Sequence, residues 1–204
     1  RTLELLNCGE MADKPPPAAP KNVTTLPLLD MKRRGVKIAM LTAYDFPTAR
    51  LAEEAGIDVI LVGDSVGMTK LGYESTLPVT IDEMVHHVKA VKRGISRALL
   101  AADMPYLSYE VDLKEAVRNA GRLLKEGGAH AVKVEGGREV AATIKEFLKI
   151  NVPVFGHLGL TPQAVNRLGG YKVQGRRPED AEKILTEARI LEGAGCAAVV
   201  LECV

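Results

Sequence analysis

Six short apolar runs in the chain each end in a polar side chain that could take part in chemistry. They are IAMLTAYD, ending at Asp45; VILVGDS, ending at Asp64 and Ser65; ALLAAD, ending at Asp103; AVKVE, ending at Lys133 and Glu135; VPVFGH, ending at His157; and AAVVLE, ending at Glu202. Apolar runs of this length are typical of strands buried on both faces, and the helical stretches between them would supply the crossovers that parallel strands require. Because the carboxyl ends of such strands surround the active site, we expect these side chains to converge.

Three of the strand-ending residues, Asp64, Asp103 and Glu135, are carboxylates that a barrel would bring together at its mouth. Clustered carboxylates repel one another unless protons or a cation neutralise them. A hard divalent ion is the economical solution, and ligands that are all oxygen favour Mg²⁺ over zinc. The sequence therefore predicts a magnesium site with positions left for water and for a chelating substrate such as a 2-oxo acid.

Two further strand-ending residues have candidate roles beside that metal. Lys133 lies two residues before Glu135, so the two side chains point to the same face of their strand, where the lysine could hold a substrate carboxylate. Glu202 ends the sixth strand, and a carboxylate near a polarised carbonyl is a candidate general base for removing an α-proton.

Each of these residues also has a structural interpretation. The one favoured for Asp45 is a helix N-cap, and for Asp64 or Asp103 taken alone the two interpretations are balanced. Lys133 could pair with Glu135 in an internal salt bridge, and spacing alone slightly favours a structural role for His157. Spacing by itself thus leads to a metal-dependent barrel enzyme and no further.

The succession of β/α units allows either an open doubly wound sheet or a closed eight-stranded barrel. The sequence favours the barrel, because LTAYDFPTA after the first strand has no glycine and the glycines of VGDSVGMTKLG are wrongly spaced for a dinucleotide fingerprint. Nicotinamide and flavin are therefore not expected. A short helix within residues 22–35 could plug or cover one end of the barrel.

Local signals mark helix starts and a candidate lid. Thr80 with Glu83, and Asp112 with Glu115, have the spacing of capping boxes. The segment SVGMTKLGYESTLP follows the second strand and is too glycine-rich and irregular for a regular element, so we interpret it as a functional loop.

The composition is that of a soluble domain able to bury a sizeable core, with 204 residues, 47% hydrophobic content and a formal net charge of +1. Such a balance of charges does not favour nucleic acid or an acidic membrane as a partner. The three cysteines are odd in number and have no metal-type spacing, which indicates a cytoplasmic location. No apolar stretch approaches the roughly 20 residues of a membrane span.

The ends of the chain differ from its middle. Residues 1–21 include the proline-rich and alanine-rich segment MADKPPPAAP and are expected to form a disordered tail. Residues 22–204 are expected to form one barrel domain. Since the last strand has no helix after it, we expect this barrel to be truncated after its sixth strand.

Several long motifs resemble the ketopantoate hydroxymethyltransferase family. They are TAYD (42–45), LVGDSVGMT (61–69), STLPVTIDEM (75–84), AADMPY (101–106), VKVEGG (132–137), GHLGLTPQAVNRLGGYKVQGR (156–176) and LECV (201–204). The resemblance runs in order from about residue 22 to the last residue. It implies a (β/α)₈ TIM barrel that transfers a hydroxymethyl group from 5,10-methylenetetrahydrofolate to 3-methyl-2-oxobutanoate, forming 2-dehydropantoate for pantothenate and coenzyme A biosynthesis.

The resemblance also implies roles for particular residues. Asp64 of VGDS, Asp103 of AADMP and Glu135 of KVEGG would be ligands of Mg²⁺, directly or through water. Ser65 and Lys133 would bind the oxo acid together with Asp64 and Asp103.

By the same resemblance, Glu202 of LEC would be the proton acceptor and His157 of GHLGLTP would lie in the same pocket. The metal would stabilise an enolate of the oxo acid, which would attack the folate-derived methylene. Family members are usually homo-oligomers, which the resemblance implies here as well. Two alternative hypotheses remain. The chain could be a related Mg²⁺-dependent 2-oxo acid lyase or mutase barrel, or an inactive barrel fragment that acts only in assembly.

Overall fold

Six strands form a parallel sheet in the computed structural model of the protein, which describes residues 22–204. They are β1 (Met40–Thr42), β2 (Val59–Val62), β3 (Leu99–Asp103), β4 (Ala131–Glu135), β5 (Val154–Gly159) and β6 (Ala198–Glu202). They lie side by side in chain order, each parallel to the next. A doubly wound sheet reverses its strand order, whereas a barrel keeps it. The predicted barrel-type fold is confirmed with six strands, and the predicted tail at 1–21 lies outside the described residues.

Helices connect the strands. They are α1 (Thr25–Arg33), α2 (Phe46–Glu54), α3 (Ile81–Gly94), α4 (Leu113–Arg122), α5 (Ala141–Lys149), α6 (Val165–Leu168) and α7 (Pro178–Ala194), with π-helical turns at Gly67–Leu71 and Leu123–Gly127 and 3₁₀ turns at Arg138–Val140 and Pro162–Ala164. None of the helices in residues 22–204 has the length and apolarity needed to cross a membrane.

The segment after β2 is more regular than the sequence predicted, because it contains the π-helical turn Gly67–Leu71. A Cβ atom on Gly67 would lie only 2.6 Å from Cγ2 of Val79. The absence of a side chain at Gly67 therefore lets this turn pack directly against the end of its own loop. The prediction of a wholly irregular segment was wrong for these five residues.

The interior of the barrel has an apolar layer near the amino ends of the strands. It consists of Val23, Leu28, Val59, Leu99, Ala101, Ala131 and Phe155. Leu28 belongs to α1, so this helix covers the amino end of the barrel as the sequence predicted. Because side chains alternate along a strand, those two positions beyond Ala101, Ala131 and Phe155 face the same interior. Those positions are Asp103, Lys133 and His157.

The start of α3 is fixed by a complete capping box. Thr80 Oγ1 accepts a hydrogen bond from Glu83 N, at 3.2 Å, and Glu83 Oε2 accepts one from Thr80 N, at 2.7 Å. At α4, Asp112 caps the helix by accepting from Lys114 N and Glu115 N. The predicted start of α3 is confirmed as a full box, and that of α4 as a side-chain cap.

We expect Thr80→Ala to lower the free energy of unfolding by about 1 kcal/mol, because it leaves a helical N–H without its acceptor. Urea unfolding followed by circular dichroism measures this change. Thr24→Ala is the matched control, since Thr24 precedes α1 but, within residues 22–204, its side chain accepts no capping hydrogen bond. Equal losses in the two variants would contradict the capping role of Thr80.

Candidate active site

The polar side chains that follow the apolar layer meet at the carboxyl end of the sheet. Asp103 pairs in register with Lys133, and Glu135 pairs with His157 on the next strand. These four side chains are buried. Glu202 ends β6 with 44% of its side chain exposed, at the rim of the same group. The predicted convergence of the strand-ending residues therefore includes those of β3 to β6.

Lys133 is bound at the centre of this group. Its Nζ lies 2.9 Å from Oδ1 of Asp103 and 3.3 Å from Nδ1 of His157. Burial alone would lower the pKa of Lys133, but the charges of Asp103 and Glu135 outweigh it, so the pKa is raised and the lysine is an ammonium. Lys133 therefore forms an internal salt bridge, as the structural interpretation expected. Its partner is Asp103 and not Glu135.

Asp64 lies two residues beyond β2, where its backbone N donates to Oδ2 of Asp103 at 3.1 Å. Burial, followed by the charge of Asp103, raises the pKa of Asp64 to about 8. Burial also raises the pKa of Glu135 to about 7, although the charge of Lys133 opposes the shift. The three carboxylates are therefore close enough for one charge to disfavour the others.

These carboxylates fit a hard divalent cation by their chemistry, because they supply several oxygen donors and a negative charge that the protein does not fully neutralise. Their present positions are not those of a finished coordination sphere. Among residues 22–204, no three His, Cys, Asp or Glu side chains are already arranged to hold a metal ion. Lys133 and Gln163 instead contact Asp103 and Asp64.

His157 lies between two carboxylates. Nδ1 lies 3.2 Å from Oε1 of Glu135, and Nε2 lies 3.3 Å from Oε2 of Glu202. Burial, followed by the charge of Lys133, lowers the pKa of His157 to about 4, so the ring is neutral near pH 7. Nδ1 faces both a donor, the ammonium of Lys133, and an acceptor, Oε1 of Glu135, whereas Nε2 makes no hydrogen bond within residues 22–204.

Ser65 lies beside Asp64 and contacts a residue of the segment that follows β1. Its Oγ is 2.7 Å from the hydroxyl of Tyr44. The turn before it is tight, since a Cβ atom on Gly63 would lie 2.9 Å from Oγ of Ser65 and 3.4 Å from Oδ2 of Asp103. A glycine at 63 therefore lets Ser65 and Asp103 approach each other.

Asp45 does not join the site. Its Oδ1 accepts a hydrogen bond of 2.9 Å from Thr48 N at the start of α2, and its other oxygen lies 3.4 Å from Nζ of Lys70. The interpretation of Asp45 as a helix N-cap is confirmed.

Gln163 and Tyr109 belong to the site but were not identified from the sequence. Nε2 of Gln163 donates to Oδ2 of Asp64 at 2.8 Å, and its backbone N donates to Oε2 of Glu135 at 3.0 Å. The hydroxyl of Tyr109 donates to Oε1 of Gln163 at 2.8 Å. Gln163 lies in the motif GHLGLTPQAVNRLGGYKVQGR, four residues beyond the end of β5, and that position was the available signal.

A cleft opens beside Glu135. One cavity of about 330 Å³ is lined by Glu135, Tyr109 and Gln163, and a second of about 490 Å³ lies next to it. Both cavities are bordered by Gly136 and Thr161. Each has a volume in the range of small-molecule sites, so the polar group at the strand ends has space for a ligand beside it.

Sequence comparison finds close relatives of this chain. The family profile described as ketopantoate hydroxymethyltransferase matches residues 22–204. The 3-methyl-2-oxobutanoate hydroxymethyltransferase of Thermoanaerobacter sp. (strain X514) is 57% identical over 182 residues, covering 89% of this chain and 66% of the relative. The enzyme of the same name from Syntrophus aciditrophicus (strain SB) is 54% identical over 184 residues, covering 90% of this chain and 68% of the relative. The chain thus spans about two thirds of the length of these relatives.

Solved structures share the fold at low sequence identity. A phosphonopyruvate hydrolase solved with oxalate and Mg²⁺ has a TM-score of 0.66 and 14% identity, covering 88% of this chain and 63% of its own. A 2,3-dimethylmalate lyase, a member of the PEP mutase/isocitrate lyase superfamily, has a TM-score of 0.61 and 16% identity, covering 90% of this chain and 65% of its own. These similarities support the assignment of the fold alone.

Proposed function

The chain belongs to the ketopantoate hydroxymethyltransferase family, and from this we propose that it transfers a hydroxymethyl group from 5,10-methylenetetrahydrofolate to 3-methyl-2-oxobutanoate, forming 2-dehydropantoate. One observation carries the proposal beyond the family name. A buried ammonium, three carboxylates and a further carboxylate at the rim converge at the carboxyl ends of successive strands. This is the set of groups needed to bind a 2-oxo acid and remove a proton beside its carbonyl.

We propose that Asp64, Asp103 and Glu135 hold Mg²⁺, directly or through water. When bound there, the ion would polarise the 2-oxo group and make the neighbouring C–H more acidic. The mutual repulsion of the carboxylates supports this assignment, since a divalent charge would offset it.

Lys133 and Ser65 would bind the oxo acid. The ammonium of Lys133 is buried, so its attraction for a substrate carboxylate is little weakened by water. The hydroxyl of Ser65 is oriented by Tyr44, 2.7 Å away, and can donate to a substrate oxygen. The two groups together would fix the orientation of the substrate.

Glu202 would accept the proton from C3 of the oxo acid. Nε2 of the buried His157 lies 3.3 Å from Oε2 of Glu202, so the ring limits where this carboxylate can lie at the edge of the interior. After proton removal, C3 would form the new carbon–carbon bond to the one-carbon unit of the folate donor. The bonds from that carbon to the folate nitrogens would break, tetrahydrofolate would leave, and water would supply the oxygen of the new hydroxymethyl group. The cleft beside Glu135 offers room for that donor.

The proposed location, partners and oligomeric state follow from the composition and from the family. We propose a cytoplasmic enzyme, from the odd number of cysteines, that acts on small molecules and not on nucleic acid or membranes. The family resemblance supports a homo-oligomer.

The test is the loss of the C3 proton signal of 3-methyl-2-oxobutanoate in D₂O, followed by NMR with and without Mg²⁺ and without folate. Exchange that depends on Mg²⁺ would support enolisation at this site, and its absence would contradict the proposed chemistry for this chain. Consumption of 5,10-methylenetetrahydrofolate with the same oxo acid then distinguishes the transferase from a lyase or mutase. If exchange occurs but no folate is consumed, the transfer step is wrong.

We expect Asp64→Asn to raise the Mg²⁺ concentration needed for half the maximal exchange rate by about 100-fold or more. Losing even a residue that only supports a metal ligand lowers the metal affinity by about 10–100-fold. The measurement is the Mg²⁺ concentration that gives half the maximal exchange rate. Asp45→Asn is the matched control, because asparagine also caps helices and Asp45 lies outside the site. An unchanged Mg²⁺ requirement in Asp64→Asn would remove Asp64 from the proposed ligands.

A further inference from the structure

Gln163 connects three loops of the site through its side chain and backbone. Its Nε2 donates both to Oδ2 of Asp64, at 2.8 Å, and to the carbonyl oxygen of Met104, at 2.9 Å. Its Oε1 accepts from the hydroxyl of Tyr109 at 2.8 Å, and its N donates to Oε2 of Glu135 at 3.0 Å. Both amide hydrogens and the amide oxygen are therefore used.

The partners of Gln163 determine which way its amide points. The carbonyl of Met104 can only accept, so it must face the NH₂ group. Met104 is itself anchored, because its N donates to the carbonyl oxygen of Lys133 at 2.9 Å. The amide oxygen then faces Tyr109, whose hydroxyl also lies 3.3 Å from the carbonyl oxygen of Glu135. A carboxylate at position 163 would place an oxygen against the acceptor oxygens of Asp64 and Met104. An ammonium there would offer no acceptor to the hydroxyl of Tyr109.

Two of these contacts are to carboxylates that come from different strands. Asp64 follows β2 and Glu135 ends β4, so their side chains have no covalent or strand-pairing link to each other. Like charges in a buried site tend to turn away from each other. Gln163 donates an amide N–H to Asp64 and its backbone N–H to Glu135, so a single residue restrains both carboxylates from turning away.

We propose that Gln163 is a positioning residue that restrains Asp64 and Glu135, two of the carboxylates that would bind a divalent cation. This inference rests on the proposed function, because it assumes that these carboxylates are metal ligands. Gln163 acts through the two carboxylates and needs no contact of its own with the cation. Its donors restrict the rotation of Asp64 and Glu135 and thereby reduce the ordering that must accompany binding.

The test uses Mn²⁺ as the probe, with free Mn²⁺ measured by electron paramagnetic resonance during titration of the full chain. Gln163→Met keeps the length of the side chain and removes the two amide N–H donors and the amide acceptor, while the backbone N–H that donates to Glu135 remains. We expect its dissociation constant for Mn²⁺ to rise by about 10–100-fold. Gln174→Met is the matched control, since Gln174 donates to a backbone carbonyl, that of Lys172, in an exposed loop.

The outcomes separate the inference from the function on which it rests. No Mn²⁺ binding by the unmodified chain would overturn both. Binding by the unmodified chain with equal affinity in Gln163→Met would overturn the inference and leave the metal site standing. A merely structural role would lower the unfolding temperature but leave the Mn²⁺ affinity unchanged below it, and this result would also overturn the inference.

A second variant covers the case in which Gln163→Met does not fold. Gln163→Glu keeps the shape of the side chain but turns an oxygen toward Asp64 and the carbonyl of Met104. We expect weaker Mn²⁺ binding, again by about 10-fold or more. Affinity equal to or above that of the unmodified chain would show that the amide donors of Gln163 are not required.

Discussion

Glu202→Gln is expected to slow exchange of the C3 proton of 3-methyl-2-oxobutanoate in D₂O by about 10²–10⁴-fold, the range typical of a lost general base. Glutamine keeps the shape of the side chain but cannot accept a proton at the relevant pH. Because Glu202 is not among the proposed metal ligands, Mn²⁺ affinity is expected to stay within about 2-fold, well below the cost of losing a ligand's partner. The readouts are the NMR exchange rate at saturating Mg²⁺ and the Mn²⁺ titration.

Glu192→Gln provides the control for this variant. Glu192 is an exposed residue of α7, and its substitution by glutamine removes the same charge at a position away from the strand ends. We expect the Glu192→Gln variant to catalyse exchange of the C3 proton at the rate of the unmodified chain. If Glu202→Gln also exchanged at that rate, the base would have to be another group, and His157 is the neighbouring candidate at 3.3 Å.

Lys133→Met is expected to lower the free energy of unfolding by about 3–5 kcal/mol, the usual cost of removing one partner of a buried ion pair. The variant leaves the carboxylate of Asp103 buried without the ammonium that lies 2.9 Å from it. For a chain of this size each kcal/mol corresponds to roughly 2–4 °C in the unfolding temperature. Denaturant unfolding and a thermal melt both measure the effect.

Two further variants show whether the buried pair is the cause. The double variant with Lys133→Met and Asp103→Asn removes both charges, and we expect it to be more stable than Lys133→Met alone. Lys149→Met breaks an exposed pair with Glu146, in which the lysine side chain is 69% exposed, and should cost at most about 1 kcal/mol. A similar loss in the Lys133 and Lys149 variants would mean that Asp103 is not left with an uncompensated charge.

The sequence was sufficient for the fold because the signal repeats. Each strand is an apolar run with a polar end, and the alternation of side chains then determines which residues face the interior. Lys133 and Glu135 were placed on one face by their spacing alone, and the structure has them on the same interior face of β4. The order of the strands followed from the lack of a dinucleotide fingerprint after β1.

The partners of the side chains could not be read from the same pattern. Asp45 and Asp64 both follow apolar runs, yet Asp45 lies three residues beyond β1 and caps α2, whereas Asp64 lies two beyond β2 and is buried in the site. Lys133 pairs across strands with Asp103, which depends on the register between β3 and β4. Register is set by tertiary packing and not by local sequence.

Gln163 illustrates a different limit. Its position after Pro162 predicts the start of a helix, and a 3₁₀ turn does begin there. Its contacts with Asp64 and Met104 span 99 and 59 residues of sequence. No short-range pattern encodes such contacts, and glutamine has no special propensity that would have distinguished it from a surface residue.

The apolar layer that α1 completes has a consequence for the path of protons. Leu28 and its neighbours fill the amino end of the barrel interior, while Glu202 stands at the opposite rim with 44% of its side chain exposed. A hydrogen that Glu202 takes from a substrate would therefore reach bulk water on the carboxyl side, without crossing the buried layer of Lys133. The two ends of the barrel would then be chemically unequal, because apolar side chains occupy the amino end while Glu202 at the carboxyl end would regain its basic form by contact with solvent.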